Sequence, residues 1–229
     1  IDTWKISKGG FLGTVTGYDF EYMKGGHASG GTLTMLWHKT AGPIIMASMT
    51  DYWLKEPHNM QLSLKKSQHQ SLVPRLELTL ETKKYASCYD YTPCITAEET
   101  NGEIKIRSEM ELKDMMHQPS DHHVFGCLEY TVTDHYVKIT GVTKALSNTV
   151  PAFILPVIGK HHMGISETKE GFMIPRESGV LQINISNKDN IEKPQPIFCL
   201  SGGFEAWEFV IKPDESGMLQ VTIQVEEEK

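Results

Sequence analysis

No stretch of this sequence stays apolar for the roughly 20 residues that a membrane-spanning helix needs. Basic charge is scarce. Its 22 lysines and arginines stand against 29 acids, a net charge of −7, which argues against binding nucleic acid or an anionic membrane through a basic surface. There are only four cysteines, Cys88, Cys94, Cys127 and Cys199, and none belongs to a Cys-x-x-Cys pair. That spacing argues against a zinc ribbon or a thioredoxin-like dithiol. Cys88 and Cys94 could close a short loop under oxidising conditions; alternatively all four are buried thiols in strands. Nucleophile elbow, phosphate-binding loop and dinucleotide fingerprint are missing too. So is any helical period longer than about ten residues; residues 59–66 come nearest, with a short strand as the alternative. No Pro/Gly/Ser linker, low-complexity tract or internal repeat divides the 229 residues.

What is present is alternation with period two. Leu76, Leu78 and Leu80 are spaced by Glu77 and Thr79, and Ile104 and Ile106 start a phase that continues through Met110 and Leu112. Leu128, Tyr130 and Val132, Leu181, Ile183 and Ile185, and Leu219, Val221, Ile223 and Val225 repeat it. Each run predicts a strand with one buried and one wet face, as in antiparallel sheets. The turn signals agree: Asn101-Gly102, Thr133-Asp134-His135 and Glu215-Ser216-Gly217 separate such runs, and Ala41-Gly42-Pro43 divides residues 32–38 from 44–49. The fold class predicted is all-β, a large antiparallel two-sheet sandwich of a dozen or more strands, with residues 1–229 as one domain. The chain opens Ile-Asp-Thr-Trp without an initiator methionine or signal core, so a processed protein with a further part upstream is expected.

Chemistry concentrates in Gly25-Gly26-His27-Ala28-Ser29-Gly30-Gly31, which runs directly into the apolar stretch ending Trp37-His38. Glycines let a backbone turn sharply or approach another chain or a ligand closely. An imidazole and a hydroxyl there suit a polar ligand or proton transfer; the alternative is a glycine-rich bend with incidental polar residues. Trp37 could stack on a sugar ring with His38 bonding its hydroxyls, although a strand tryptophan also serves a core. Asp51-Tyr52-Trp53 could share that rim. The tyrosine-rich run of residues 84–91 is either an aromatic contact surface or a strand edge. His122-His123 and His161-His162 do not chelate as pairs if they lie on strands, because neighbours point to opposite faces.

The segment from Gly26 to Leu33 resembles the His-x-Asp-x-Gly-x-Phe pattern that begins the C-terminal β-sandwich of heparinase II/III-like polysaccharide lyases. Beyond this motif and its hairpin, the similarity is one of all-β pattern and length. The resemblance implies a partner, a helical toroid on the N-terminal side, and a polysaccharide or oligosaccharide held between toroid and sandwich. It implies β-elimination at a uronic acid, which needs a base, a group that neutralises the carboxylate and an acid for the leaving oxygen. The family's catalytic Tyr and Asn belong to the toroid, so the sandwich alone is expected to be inactive. The family's functional residues carry over in part: His27 holds the place of the motif His, a zinc ligand in several members, Ser29 replaces the motif Asp, and Gly25 replaces a further active-site His. One ligand of about three does not make a zinc site, so no metal or other cofactor is expected. His27, Ser29, Trp37 and His38 are the expected ligand-facing residues. Export to the periplasm or outside the cell follows from the substrate. Two rival readings are a non-catalytic carbohydrate-binding module and a mutarotase-like sugar enzyme, the latter requiring a His and a carboxylate facing one another across a cleft.

Overall fold

A computed structural model describes residues 2–19, 26–47, 49–53, 62–63, 69–143, 149–200 and 203–227. Four strands open the chain: β1 (Asp2–Lys8), β2 (Phe11–Tyr18), β3 (Thr32–His38) and β4 (Gly42–Met46). Three two-residue strands follow, β5 (Tyr52–Trp53), β6 (Leu62–Ser63) and β7 (His69–Gln70), and then the hairpin of β8 (Arg75–Leu80) and β9 (Lys83–Ala86). After a single 3-10 turn, Ser87–Tyr89, come β10 (Cys94–Glu99), β11 (Ile104–Glu111), β12 (Phe125–Val132) and β13 (Tyr136–Thr143). The remainder are β14 (Ala152–Lys160), β15 (Ser166–Glu167), β16 (Gly171–Arg176), β17 (Gly179–Ile185), β18 (Ile191–Leu200), β19 (Phe204–Ile211) and β20 (Met218–Glu227). The only helices among the described residues are two 3-10 turns of three residues each. All but two residues of the 59–66 stretch lie outside the described residues.

The strands pair antiparallel throughout. An eight-stranded sheet runs β10-β11-β12-β13-β20-β17-β16-β15, a six-stranded sheet runs β6-β18-β19-β14-β8-β9, and β1 to β4 pair in sequence order. The short β5 and β7 pair with each other. One core joins the three large sheets. Ile106, Tyr130, Ile139, Ile183 and Val221 enter it from the eight-stranded sheet, Leu76, Phe153, Leu155 and Phe209 from the six-stranded sheet, and Phe11, Val15, Leu36 and Ile45 from the first four strands. Leu76, Ile106, Tyr130, Ile183 and Val221 are in-phase residues of the alternating runs, and each large apolar side chain contributes about 1.5–3 kcal/mol when withdrawn from water. The sandwich thus has one broad layer and a second layer divided between two sheets.

Two polar residues sit in the buried phase for a reason. Ser108 on β11 donates its hydroxyl to Gly30 O at 3.2 Å. Tyr130 on β12 donates to Gly31 O at 3.0 Å and accepts from Leu33 N–H at 3.3 Å. Both reach across the core from the broad sheet to the glycine turn before β3, so neither leaves an unpaired polar group inside. Burial pushes the Tyr130 phenol well above its ordinary range.

None of the four cysteines forms a disulfide: Cys88 is buried in the 3-10 turn and Cys94 is exposed on edge strand β10. The proposed Cys88–Cys94 loop is therefore not closed. The alternative of four buried strand thiols also needs correction, since burial takes only Cys88 fully. Its thiol is pushed up to about 12, chiefly by burial. The strand expected over 44–49 stops at Met46, with Met49 making a single bridge to His27.

Candidate functional site

The two ends of β3 carry the four residues singled out above, and they are different places. The strand is seven residues long, which puts His38 roughly 20 Å from its start at strand rise. His27 and Ser29 lie before that start; Trp37 and His38 end the strand.

At the first end the backbone is forced by glycine. Gly30 and Gly31 both have φ +71°, and a Cβ on Gly30 would lie 1.9 Å from Ser87 O, one on Gly31 2.0 Å from Ser108 Oγ. Only glycine combines that conformation with that approach. The Gly30 and Gly31 amides donate to Gly17 O and Thr16 O, each at 2.9 Å, which binds the turn to β2. Ser29 is fully buried; its amide donates to Cys88 O at 3.1 Å, and its hydroxyl accepts from Asp19 N–H at 3.1 Å. Ser29 therefore positions Asp19. In turn the His27 Nδ1–H donates to Asp19 Oδ2 at 2.7 Å. Both side chains remain about a quarter exposed, 28% and 23%. The carboxylate fixes the imidazole's tautomer and orientation, the usual way a histidine is prepared to meet a polar ligand.

An aromatic group starts from the residue before Asp19. Tyr18, next to Asp19 in sequence, meets the Tyr91 ring edge-on at 5.3 Å, and Tyr91 lies against His117 at 4.0 Å. His117 donates from Nδ1 to Tyr89 O at 2.9 Å. Beneath them Asp90 is a pin: it accepts from Lys113 Nζ at 2.9 Å, Glu111 N–H at 2.9 Å and Thr92 N–H at 3.0 Å. Burial alone would raise its carboxyl, but Lys113 and these amides outweigh burial and hold it below its ordinary range. Tyr18, Asp19, Tyr91 and His117 were not singled out as site residues from the sequence. The tyrosine run of residues 84–91 was the signal for one of them; the Asp19–His27 pairing spans a segment that carries no motif of its own.

At the other end His38 is buried at 5% exposure, against Phe11 at a ring distance of 4.6 Å. Its Nδ1 accepts from Thr40 N–H at 3.2 Å, and an interaction with the Gly9 backbone favours its charged form. Burial is the main reason its pKa falls below the ordinary value. His38 thus clips the β1–β2 hairpin to the β3–β4 turn as a neutral imidazole. It also borders a cavity of about 360 Å³ with Lys39, His135 and Glu227. Trp37 is half-buried and lines a separate shallow hollow with Lys8 and Leu12. Asp51 is half-buried, and the side chains of Tyr52 and Trp53 lie outside the described residues.

A sequence model of the ulvan lyase C-terminal domain matches residues 1–226. The chain belongs to that family. A broad-specificity ulvan lyase from Formosa agariphila is 30% identical over 193 residues, which cover 80% of this chain and 29% of the relative. The chain therefore spans about three-tenths of the length of the curated relative it matches. Among solved structures, the 4-alpha-glucanotransferase from Thermococcus litoralis matches with a TM-score of 0.52, and a mutant of heparan sulfate lyase HepC from Pedobacter heparinus with 0.50. Each is 12% identical, and the match covers 99% of this chain and 37% of the other. At that identity the likeness is one of fold. The chain is a polysaccharide-lyase-associated β-sandwich, as the motif at His27 implied.

The zinc that the resemblance attaches to the motif histidine can be tested against the residues present. Among the described residues, His27 and Asp19 form a pair, and no group of three ligand-type side chains includes them. A closed or catalytic zinc site needs three protein ligands or more, so no chemistry is derived through a metal at His27.

Proposed function

We propose that this domain forms the sandwich side of a polysaccharide groove in a longer lyase, with the lip at Tyr18, Asp19, His27, Tyr91 and His117 contacting the glycan. One observation carries the reading: a part-exposed imidazole is oriented by a carboxylate at the motif position, and Tyr18, next to that carboxylate in sequence, begins a group of packed aromatic rings. Rings offer apolar faces to sugar rings, and the imidazole offers a polar group to hydroxyls or to a uronic carboxylate. The substrate class is a uronic-acid polysaccharide, with ulvan first in line because the Formosa agariphila relative is an ulvan lyase. Ser29 acts through Asp19, and His38 through the hairpins it clips; Trp37 offers a second, weaker contact at the far end. A helical domain on the N-terminal side supplies the remaining catalytic groups. Export to the periplasm or beyond follows from a polymer too large to cross a membrane unaided.

The test uses the full-length parent on ulvan and on other uronic-acid polymers, following the unsaturated product by ultraviolet absorbance. The parent is expected to be active, the isolated 229-residue chain inactive but able to bind ulvan, and His27→Ala and Tyr91→Ala to weaken binding about tenfold. Binding without turnover by the parent would select a non-catalytic module. A chain and parent that neither bind nor cleave any such polymer would end the reading.

A further inference from the structure

A second cluster lies at another place in the fold, where β14, β19 and β18 end side by side. Cys199 on β18 and Glu205 on β19 are direct cross-strand partners, and Gly159 on β14 faces Glu205 from the other side. Glycine at 159 places no side chain there, and a Cβ would come within 3.3 Å of the Trp207 ring. His161 follows β14 in a turn, its amide bonded to Gly203 O at 2.7 Å, and leans back over the open position. His162 adopts φ +69°, so the two histidines do not alternate as strand neighbours; their rings touch at 3.5 Å. The strand geometry expected for this pair from sequence therefore does not hold.

We propose that His161, Cys199 and Glu205 form a binding site for a borderline divalent cation of the zinc class. Their ligand atoms all lie within 4.8 Å of one another. Cys199 Sγ is 3.6 Å from His161 Nδ1, and Glu205 Oε2 is 3.1 Å from the same nitrogen. Zinc bonds of about 2.3 Å to sulfur and about 2.1 Å to nitrogen or oxygen, at tetrahedral angles, put S and N about 3.6 Å apart and N and O about 3.4 Å apart. The first edge fits as it stands, and the second needs a shift of a few tenths of an ångström. Imidazole, thiolate and carboxylate together select a cation such as zinc over calcium or magnesium, which take oxygen ligands.

The outer contacts are those a metal site has. Trp207 Nε1–H donates to Glu205 Oε1 at 2.8 Å, which leaves Oε2 directed at the centre and fixes the carboxylate. Glu205 is 7% exposed while His161 is 38% exposed, so the cluster joins a buried carboxylate to an imidazole that solvent reaches.

A nucleophilic cysteine relay would use the same residue types in another arrangement. There the thiol and the carboxylate take opposite ring nitrogens of the histidine. Here both face Nδ1, which is convergence on a point and not a chain.

The experiment titrates the 229-residue chain with Co²⁺ alone and follows the thiolate-to-cobalt charge-transfer absorption, then displaces the cobalt with Zn²⁺. One equivalent is expected to give the band. Cys199→Ser should abolish it with an unchanged far-ultraviolet spectrum, and His27→Ala should keep it. Zinc should raise the melting temperature of the parent chain and not that of Cys199→Ser. Trp207→Phe should weaken zinc about 10- to 100-fold. No band, a band that survives Cys199→Ser, or equal zinc affinity in the two proteins would overturn the proposal. A bare His161–Glu205 ion pair would give the first of these results.

Discussion

Two histidines bracket one strand and have opposite fates. His27, before β3, keeps a quarter of its side chain in solvent and is held by a carboxylate. His38, at the end of β3, is sealed against Phe11 and joins two turns as a neutral ring. Their sequence surroundings are alike: both adjoin a glycine turn and the same apolar run. What separates them is the third dimension, namely which hairpin closes over each end. A histidine beside glycines is thus not a site by composition; the polar partner and the exposure decide.

The two turns should differ in the same sense when their glycines are replaced. Gly30→Ala meets Ser87 O at 1.9 Å in a left-handed conformation, and we expect a loss of about 3 kcal/mol or more. Chemical denaturation would show it, and a loss under 1 kcal/mol would mean that the 3-10 turn yields easily. His38→Ala removes two backbone partners and the Phe11 contact, which should cost about 2 kcal/mol. Gly42→Ala has the same handedness, φ +70°, but nothing within 4 Å of the added methyl, so about 1 kcal/mol is expected. At the exposed end, Asp19→Asn should change stability by no more than about 0.5 kcal/mol while weakening ulvan binding several-fold. Equal effects on both quantities would make the Asp19–His27 pair a structural clip like His38.

Acid sharpens the contrast. His38 titrates below its ordinary value of 6.5, mainly through burial, so the unfolded chain takes up its proton first as the pH falls. The stability owed to neutral His38 is complete above about pH 6.5 and declines below it, by linkage. Melting temperature measured from pH 7.5 to 5 should fall more steeply for the parent chain than for His38→Gln. Parallel curves would show that His38 is not the responsible ring.

Much of the architecture was legible from residues in phase. Leu76 and Leu78, Ile104 through Leu112, Leu128 through Val132, and Leu219 through Ile223 are buried as their alternation predicts, because a strand has only two faces. Ser108 was readable only as an interruption; its reason, the Gly30 carbonyl, lies 78 residues away. The motif at His27 identified a lyase sandwich, but not Asp19 as the partner of His27, nor Tyr91 and His117 as neighbours. Those contacts are set by how the first four strands lie against the 3-10 turn, and no local period encodes that. The His161–Cys199–Glu205 group is further still from sequence, since two strands and the turn after a third contribute one residue each. The strand rule also failed there, because His161 and His162 occupy a turn.

The place of β20 has a consequence for how the molecule is made. Residues 218–227 lie between β13 and β17, pairing with β13 over 218–224 and with β17 over 221–227. Until that segment leaves the ribosome, β10 to β13 and β15 to β17 are separate half-sheets, each with an unpaired inner edge. Those edges present free backbone donors and acceptors to any other nascent strand. Completing the eight-stranded sheet therefore means inserting a central strand, a late and non-local event that is slow by its topology. During synthesis the protein should depend on holdase chaperones, and cutting back from residue 227 should cause aggregation while leaving the residues around His27 in the sequence.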